Sequence, residues 1–479
     1  MRKLWQLLFL ASGLSLLAGC GGSSGSVNTS GGATQFSVSG PASSGAGFAF
    51  TFTVTAIDAA NNVATSYSGM VHFTSSDPAA VLPPNSKLVN GTGTFSATLT
   101  NAGFQTITAT DTALASLMGS LSVTAVAGEF PVASFGAKGD GQTDDTAAIQ
   151  KAINAASAAG GGSVVLSVAR YFTAGTLVVP AGVVLCGPTE GSFDIGPSTV
   201  TPGIDPASTA VAATLLITNT GGPFITLQGI GAGVTDLLFY YPNQVAITAS
   251  APNVYPYTIL VTAPGAKVAR STVINAYNFL DIESGRVLAK DLNISAFHND
   301  IKIDHAYDHV TLRHLNLTIL WDFVGYQHEY PQPIDYWVFN NATGVVLGRV
   351  DSFEMNDFIV GGRNTGILLT DSSDTSQNPT CGYGTGSDFD IEGVQYGIVA
   401  TASNTPGYEF ADVFLESQPG IGEAGVQLTA GGSMPPKIEI NGFTQFGPWA
   451  NGAFPPPGAG ELVDVYNLPC IEPGGAACP

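Results

Sequence analysis

The sequence has little charge, and basic residues are the scarcest. Only 11% of its 479 residues are charged, with 15 Lys and Arg against 36 Asp and Glu, which gives a formal charge of −21. Such a surplus repels nucleic acid and anionic lipid headgroups, so neither is an expected partner. A polyanionic ligand would need a local basic patch. The 59 glycines favour a protein built mainly of strands and turns.

Cysteine is also scarce, and no CxxC pair or Cys/His cluster has the spacing of a zinc site. We therefore expect no metal and no other cofactor. Four of the five cysteines lie beyond the N-terminal segment, an even number that permits disulfides in an oxidising compartment. We predict a disulfide between Cys470 and Cys478 in a C-terminal tail, residues 461–479. The sequence leaves the pairing of Cys186 and Cys381 open.

Long apolar runs are missing except at the N-terminus. Residues 4–17 are apolar, follow two basic residues, and are too few to span a bilayer, which needs about 20. The sequence LAGC at residues 17–20 resembles the lipobox of bacterial lipoproteins. The resemblance implies a signal peptide at 1–19 and a lipid on Cys20 that anchors the protein to the membrane. Glycine rather than aspartate after this cysteine favours the outer membrane and the cell surface.

Residues 20–33 are mostly Gly, Ser, Thr and Asn, a composition typical of a flexible linker. From residue 34 to 127 apolar residues alternate with small or polar ones, as at Phe50, Phe52 and Val54. Short alternating strands separated by turns predict an antiparallel β-sandwich. The segment resembles bacterial immunoglobulin-like modules, which implies a spacer.

A different pattern occupies residues 128–460. The stretch FGAKGDGQTDDTAAIQKAI, which begins at Phe135, predicts a helix that ends at the glycines of 160–162. Three apolar residues share one face of this helix: Ile149, Ile153 and Ala156. Thr143 is the predicted cap, and the two aspartates after it are predicted to lie in the first turn, where they suit the helix dipole.

This opening and the following GGGSVVLSVARYFTAGTLVVPAGVVLCG resemble the start of the pectate-lyase superfamily, which includes rhamnogalacturonase-like and epimerase-like proteins. The resemblance implies an all-β fold: a right-handed single-stranded parallel β-helix, capped by the opening helix and preceded by the immunoglobulin-like β-sandwich. Short apolar strands also recur every 20 to 30 residues or so, which independently predicts a solenoid of stacked units.

Reactive residues concentrate between about 279 and 363. Alternation there points Asp281 and Glu283 outward on one coil, and Lys302 and Asp304 outward on the next. Because stacked coils lie about 4.8 Å apart, Asp281 should lie beside Lys302 and Glu283 beside Asp304. Neighbouring carboxylates raise each other's pKa, so that one can act as acid while the other stays ionised. We predict Glu283 and Asp304 as the catalytic pair, with Asp281 as a third catalytic residue.

Basic and aromatic residues near these carboxylates are predicted to bind the substrate. An insertion from about residue 321 to 340 is rich in aromatic side chains, which stack on sugar rings. The predicted substrate-binding residues are Lys302, His305, Arg313, Trp321, His328 and Trp337.

Three functions remain open. The leading interpretation is a surface-anchored glycoside hydrolase that acts on an extracellular polysaccharide. The second is a lyase or epimerase of a uronic-acid polymer, in which Tyr307, Tyr326 or His328 moves protons and Lys302 or Arg313 neutralises the substrate carboxylate. The third is a non-catalytic adhesin or glycan-binding protein. The signature motifs of polygalacturonases and alginate epimerases are not intact, so the resemblance implies a fold and a broad substrate class without a transferable active site.

Overall fold

The computed structural model describes residues 32–188, 212–244, 249–318, 333–374, 381–403, 407–417, 422–429, 435–446, 449–451 and 462–466. The predicted signal peptide, the lipid site at Cys20, most of the linker, and the predicted Cys470–Cys478 disulfide lie outside these residues. The chain divides into two compact units. One comprises Met1–Pro41, Thr51–Ala97 and Gln105–Val123, and the other Ala42–Phe50, Thr98–Phe104 and Thr124–Pro479.

The N-terminal strands form two sheets, with strand orders β1-β3-β6 and β2-β8-β7-β4-β5. Their bounds are β1 Gln35–Ser39, β2 Ser43–Gly45, β3 Ala49–Ile57, β4 Met70–Ser75, β5 Ser86–Lys87, β6 Thr92–Thr98, β7 Gly103–Asp111 and β8 Met118–Val126. Phe52 and Val54 are buried, as the alternation predicts. The Phe73 ring of one sheet contacts Phe52 and Phe95 of the other, at centroid distances of 5.7 and 4.8 Å. Aromatic packing therefore joins these two sheets.

The remaining strands form one long parallel sheet that winds into a solenoid. Its elements begin with β9 Glu129–Pro131, a 3₁₀ helix Val132–Phe135, β10 Asp140–Asp144, α1 Thr146–Ala158, β11 Gly162–Val165, β12 Ala169–Thr173, β13 Leu177–Val179, β14 Val183–Cys186, β15 Ala213–Ile217, β16 Ile225–Leu227, β17 Gly233–Thr235, β18 Leu238–Tyr240 and β19 Tyr257–Val261. They continue with β20 Lys267–Ile282, β21 Val287–Ile303, β22 Ala306–Leu317, α2 Pro333–Asn341, β23 Thr343–Leu347, β24 Val350–Gly361, β25 Thr365–Leu369, β26 Gly384–Glu392, β27 Tyr396–Ala400, β28 Tyr408–Glu416, β29 Ala424–Leu428, β30 Lys437–Phe446 and β31 Leu462–Tyr466.

Each coil of the solenoid contributes to three parallel faces, and the fold is a parallel β-helix. Face A comprises β9, β11, β14, β17, the first parts of β20, β21, β22, β24, β26, β28 and β30, and β31. Face B comprises β10, β12, β15, β18 and the later parts of the long strands. Face C comprises β13, β16, β19, the last parts of β20 and β21, and β23, β25, β27 and β29. The recurring strands confirm the predicted solenoid, although the sequence indicated two strands in a coil where the long coils have three.

Helix α1 joins the solenoid core through the predicted apolar face, since Ile149, Ile153 and Ala156 are all fully buried. The predicted start of this helix is wrong. Thr143 lies in strand β10, and no acidic residue falls in the first helical turn. The two aspartates before the helix bind backbone groups instead. Asp144 accepts a hydrogen bond from the amide of Thr146 at 3.0 Å, and buried Asp145 accepts two from the preceding loop. Asp145 therefore holds the preceding loop, whereas Asp144 binds the first residue of the helix from outside it.

From β17 onward one residue forms the corner between face A and face B in each described coil, and its backbone is left-handed. The corner residues, by their positive φ angles, are Asp236, Arg270, Asp291, His314, Asp357, Asp388, Asp412 and Gly442. Aspartate tolerates this conformation better than most residues. Side-chain contacts link neighbouring corners: Arg270 forms an ion pair with Asp236 at 2.6 Å, and the ring nitrogens of His314 lie 3.1 and 2.9 Å from carboxylate oxygens of Asp291 and Asp357. We call this row the corner column.

The structure describes the two cysteines whose pairing the sequence left open. Cys186 and Cys381 are both buried and do not form a disulfide with each other. Burial raises the pKa of the Cys186 thiol to about 12, which keeps it protonated and unreactive.

No helix among the described residues has the length and apolar character that a membrane-spanning helix needs.

Candidate active site

Face C carries a charged pair in the middle coils of the solenoid. Strands β20 and β21 place Asp281 directly opposite Lys302, which is the predicted register. The Lys302 ammonium donates to both carboxylate oxygens of Asp281, at 3.3 and 3.4 Å. The Asp281 side chain is 9% exposed and that of Lys302 is 25% exposed. The pair is therefore shielded but can be reached from solvent at the lysine.

Burial raises the pKa of Asp281 to about 6, since a carboxylate loses hydration in this position. Lys302 opposes the shift, whereas the negative charge of Glu283 adds to it. Glu283 follows two residues later and is only partly buried. The arrangement thus provides one carboxyl that keeps its proton to mildly acidic pH beside a second carboxyl of higher exposure.

Asp304 lies one coil beyond Glu283, as the register predicts, because the amides of Glu283 and Asp304 bind Val261 and Ile282 of successive coils. Its carboxylate is almost wholly engaged with neighbouring turns. One oxygen accepts from the amides of His305 and Arg349, at 2.9 and 3.1 Å. The other accepts from the amide and hydroxyl of Ser373, at 3.0 and 2.8 Å.

These bonds determine the protonation state of Asp304. Burial alone would raise its pKa, but hydrogen bonds from Ser372, Ser373 and Arg349 hold the pKa below its ordinary value. A carboxylate with four donors and a side chain only 3% exposed is a poor proton donor to a ligand. Its contacts instead join the turns of three successive coils. The histidine of these turns is His305, whose Nε2 lies 3.8 Å from Oδ2 of Asp304.

Glycine at position 348 makes room for this carboxylate. A Cβ atom there would lie 2.7 Å from Oδ1 and 2.9 Å from Cγ of Asp304. Any side chain would therefore displace Asp304 from the amide of Arg349. Residue 348 must therefore lack a side chain if Asp304 is to keep its position, a requirement that the neighbouring sequence did not indicate.

A row of polar side chains runs beside the charged pair on face C. Tyr257, Asn278 and Asn299 occupy equivalent positions on three successive coils. The Asn299 amide donates to the Tyr257 hydroxyl at 3.2 Å, and Asn278 accepts from the backbone amide of Asn299 at 3.1 Å. Burial and the neighbouring charge of Asp281 raise the pKa of Tyr257, so its hydroxyl retains its proton.

Three aromatic rings border this polar row. Tyr277 and His298 stack at a centroid distance of 5.0 Å and an interplanar angle of 10°, and Trp337 of α2 lies 6.0 and 6.3 Å from them. Burial lowers the pKa of His298, and its Nδ1 lies 3.0 Å from the Asn278 carboxamide oxygen. Helix α2 is held by Ile334 and Val338, which pack with Phe297. Trp337, predicted to bind substrate, therefore lies at an edge of face C.

The other predicted binding residues do not join this group. Arg313 lies on face A, where it pairs with Glu354 at 2.7 Å. Trp321 and His328 lie outside the described residues. Two histidines that were not predicted to bind substrate also lie away from this group: His314 belongs to the corner column, and His309 lies 3.0 Å from the hydroxyl of Ser352.

Sequence reasoning missed Tyr257, Asn278 and Asn299 because strict alternation fails on face C. Phe279 and Leu280 are consecutive and both fully buried, as are Asp300 and Ile301. The phase of the side chains therefore shifts between residues 278 and 281. The sequence does contain Asn278 and Asn299 at equivalent positions in two similar segments. Only the observed strand register shows that the two side chains lie next to each other.

The same shift places Asp300 inside the solenoid. Arg363 is also fully buried, and its guanidinium donates to both Asp300 oxygens, at 2.9 and 3.1 Å. The ion pair is thus wholly shielded from solvent. Among the described residues, no group of three or more His, Cys, Asp or Glu side chains has the geometry to hold a metal ion.

Comparison with known proteins finds similarity at the start of the solenoid. Residues 130–204 match the family described as Rhamnogalacturonase A/epimerase, pectate lyase-like. The chain is 46% identical over 70 residues to Alginate lyase 7 of Azotobacter vinelandii, a match that covers 13% of this chain and 8% of that protein. It is 60% identical over 47 residues to Mannuronan C5-epimerase AlgE3 of the same organism, covering 10% of this chain and 3% of that protein. The chain thus spans less than a tenth of either relative.

Among solved structures, the exopolygalacturonase of Thermotoga maritima aligns over 67% of this chain and 81% of its own, with 11% identity and a TM-score of 0.38. The family match agrees with the resemblance seen in the sequence and covers the first coils of the parallel β-helix.

Proposed function

We propose that this protein is a polysaccharide hydrolase in which Asp281 is the general acid and Glu283 the general base. The observation that carries the proposal is the carboxyl of Asp281, with a pKa of about 6, two residues before the more exposed side chain of Glu283. Acid–base cleavage of a glycosidic bond requires two carboxyl groups, one of which can deliver a proton. This assignment differs from the pair expected from sequence, because Asp304 is engaged by four donors.

In this proposal the two residues act as an inverting pair. Glu283 lies two residues beyond Asp281, directly after the end of β20. Inverting glycosidases hold their carboxyl groups about 6.5 to 9.5 Å apart to admit a water molecule, whereas retaining enzymes hold them at about 5 Å. In this proposal Glu283 activates the water, Asp281 protonates the leaving oxygen, and Lys302 maintains the position of Asp281.

A second candidate is β-elimination or C5-epimerisation of a uronic-acid polymer. Lys302 on face C supports it, since an ammonium can neutralise the substrate carboxylate and acidify the neighbouring C–H bond. The protonated hydroxyl of Tyr257 beside Asp281 would then deliver a proton, and the Glu283 carboxylate would accept the proton removed from the sugar carbon. The names of the similar proteins, an alginate lyase and a mannuronan epimerase, also suggest this chemistry.

A polysaccharide panel separates these functions. The full chain is incubated with neutral glycans, polygalacturonate and alginate at pH 5 to 7. Hydrolysis yields new reducing ends without unsaturated product, elimination yields ultraviolet absorbance from an unsaturated uronide, and epimerisation changes uronate composition alone. Binding without any of these products would favour the adhesin interpretation and contradict the proposed catalysis.

We also propose that the mature protein is anchored through a lipid on Cys20 at the outer surface of the cell. The export signal and lipobox of the sequence support this location, which would bring face C to extracellular polymers. Cells that express the chain and are fed a labelled fatty acid should incorporate label into the protein, and Cys20→Ala should abolish it. Equal labelling of the variant would contradict the anchor.

A further inference from the structure

An exposed tyrosine lies at the start of β22, directly after the turn that leads from face C to face A. Tyr307 follows Asp304 by three residues, and 47% of its surface is exposed. The guanidinium carbon of Arg349 lies 5.2 Å from the centre of its ring. The arginine thus covers one side of the ring, and the exposed surface is available to a ligand.

The ring is held by a chain of contacts that begins at the candidate site. The Asp304 carboxylate accepts from the Arg349 amide at 3.1 Å, and the Arg349 side chain donates to Asp351 at 3.0 Å. The Arg349 side chain is only 13% exposed, so its guanidinium has a fixed position under the tyrosine. A preorganised ring loses little conformational entropy when a ligand binds.

We propose that Tyr307, backed by Arg349, is a sugar-stacking subsite that binds a pyranose ring of the polysaccharide next to Glu283. The inference rests on the proposed function. Glu283 and Asp304 are neighbours on successive coils, and Arg349 links Asp304 to Tyr307. An aromatic face contacts the apolar C–H surface of a sugar, and the phenolic hydroxyl can bind a ring substituent. The subsite contacts a sugar away from the cleaved bond and thereby recognises an oligomer rather than a monosaccharide.

The role of Asp304 follows from the same contacts. It is a positioning residue, whose carboxylate sets the Arg349 backbone and through it the tyrosine. This role explains why a residue expected to be catalytic is buried beneath the turn and bound by four donors.

The test compares binding and turnover in the full chain. Asp281→Asn is screened on a glycan array, and the strongest tetrasaccharide is then titrated by calorimetry against Asp281→Asn alone and with Tyr307→Ala, Tyr307→Phe or Phe104→Ala. Aromatic stacking is worth about 1 kcal/mol, so removal of the Tyr307 ring should weaken binding by about fivefold. Tyr307→Phe should retain most affinity. Phe104→Ala, which removes an exposed ring of β7, is the matched control and should leave the affinity for the tetrasaccharide unchanged.

The outcomes separate the subsite from the proposed hydrolysis. Equal affinity of the Tyr307→Ala and parent proteins, or no glycan bound at all, would overturn the subsite. Binding that depends on Tyr307 without any hydrolysis by the wild-type chain would reject the proposed reaction and support the subsite. In an active enzyme, Tyr307→Ala should raise KM for tetrasaccharides with little change in kcat, and an unchanged KM would overturn the subsite alone.

Discussion

The Lys302 ammonium and the Asp281 carboxylate form a hydrogen-bonded pair across two rungs of face C, with Nζ 3.3 and 3.4 Å from the two oxygens. Burial raises the pKa of Asp281 more strongly than this cation lowers it. The resulting pKa of about 6 leaves the carboxyl partly protonated under mildly acidic conditions. An ion pair in this position thus tunes a proton donor.

Replacement of either proposed catalytic carboxyl should abolish most hydrolysis without unfolding the chain. Asp281→Asn removes the acid and Glu283→Gln removes the base, so each should lower kcat by about 10²- to 10⁴-fold. Reducing-end release on the glycan identified by the panel measures the effect. Glu409→Gln, an exposed acid of face A, is the control. Full activity in Asp281→Asn would show that another group supplies the proton.

The Lys302→Met variant should extend activity to higher pH. A general acid works only while protonated, so the wild-type rate should fall as the pH rises through about 6. Loss of the cation removes a group that stabilises the carboxylate, so the pKa of Asp281 and the alkaline limb of the rate profile should both move upward. Lys290→Met on face A, whose lysine pairs with Asp291 at 3.2 Å, should leave the limb in place. A limb that moves downward would contradict this electrostatic account.

A methyl group at position 348 should disturb the turns that Asp304 holds. Because the new Cβ would approach Oδ1 of Asp304 to 2.7 Å, Gly348→Ala should destabilise the protein by about 1–3 kcal/mol. Gly222→Ala is matched to it, since nothing lies within 4 Å of a Cβ at that position. Thermal unfolding of both variants measures the difference. Equal melting temperatures would mean that Asp304 can move without cost.

Loss of Arg363 alone should lower the free energy of unfolding more than loss of both Arg363 and the charge of Asp300. Arg363→Met leaves an uncompensated charge on Asp300 in the core and should cost about 3–5 kcal/mol. The double variant with Asp300→Asn removes that charge and should recover part of the loss. Urea denaturation at neutral pH gives the free energies of unfolding. A double variant less stable than Arg363→Met would show that the two side chains stabilise the core independently.

The sequence predicts the architecture well because a solenoid repeats its constraints. Each coil must bury a small set of apolar residues, so the recurrent strands and the register of Asp281 with Lys302 follow from alternation and spacing. The helix that begins the solenoid is predicted for the same reason, through Ile149, Ile153 and Ala156. Its starting residue was missed because Asp145, expected in the first turn, instead binds backbone amides of the preceding loop.

The candidate site is less predictable, because period-two alternation breaks where two consecutive residues face inward. This break hides the outward position of Asn278 and the inward position of Asp300. Similarly, the sequence gives no sign that Asp304 is surrounded by amides from later coils, since Arg349 and Ser373 are distant along the chain. Contacts between coils with turns of unequal length require the folded structure.

The corner column has a consequence for how such a protein can change its length. From β17 onward each described coil enters face B from a left-handed corner, and Phe358 and Phe389 occupy equivalent positions directly after two successive corners. The segment from one corner to the next therefore has the length of one coil. Excision of residues 358–388 would join Asp357 to Phe389 with the strand register intact, but it would also remove Arg363 from Asp300 and Ser373 from Asp304. The solenoid can therefore lose a whole coil only if the buried side chains that join neighbouring coils change with it.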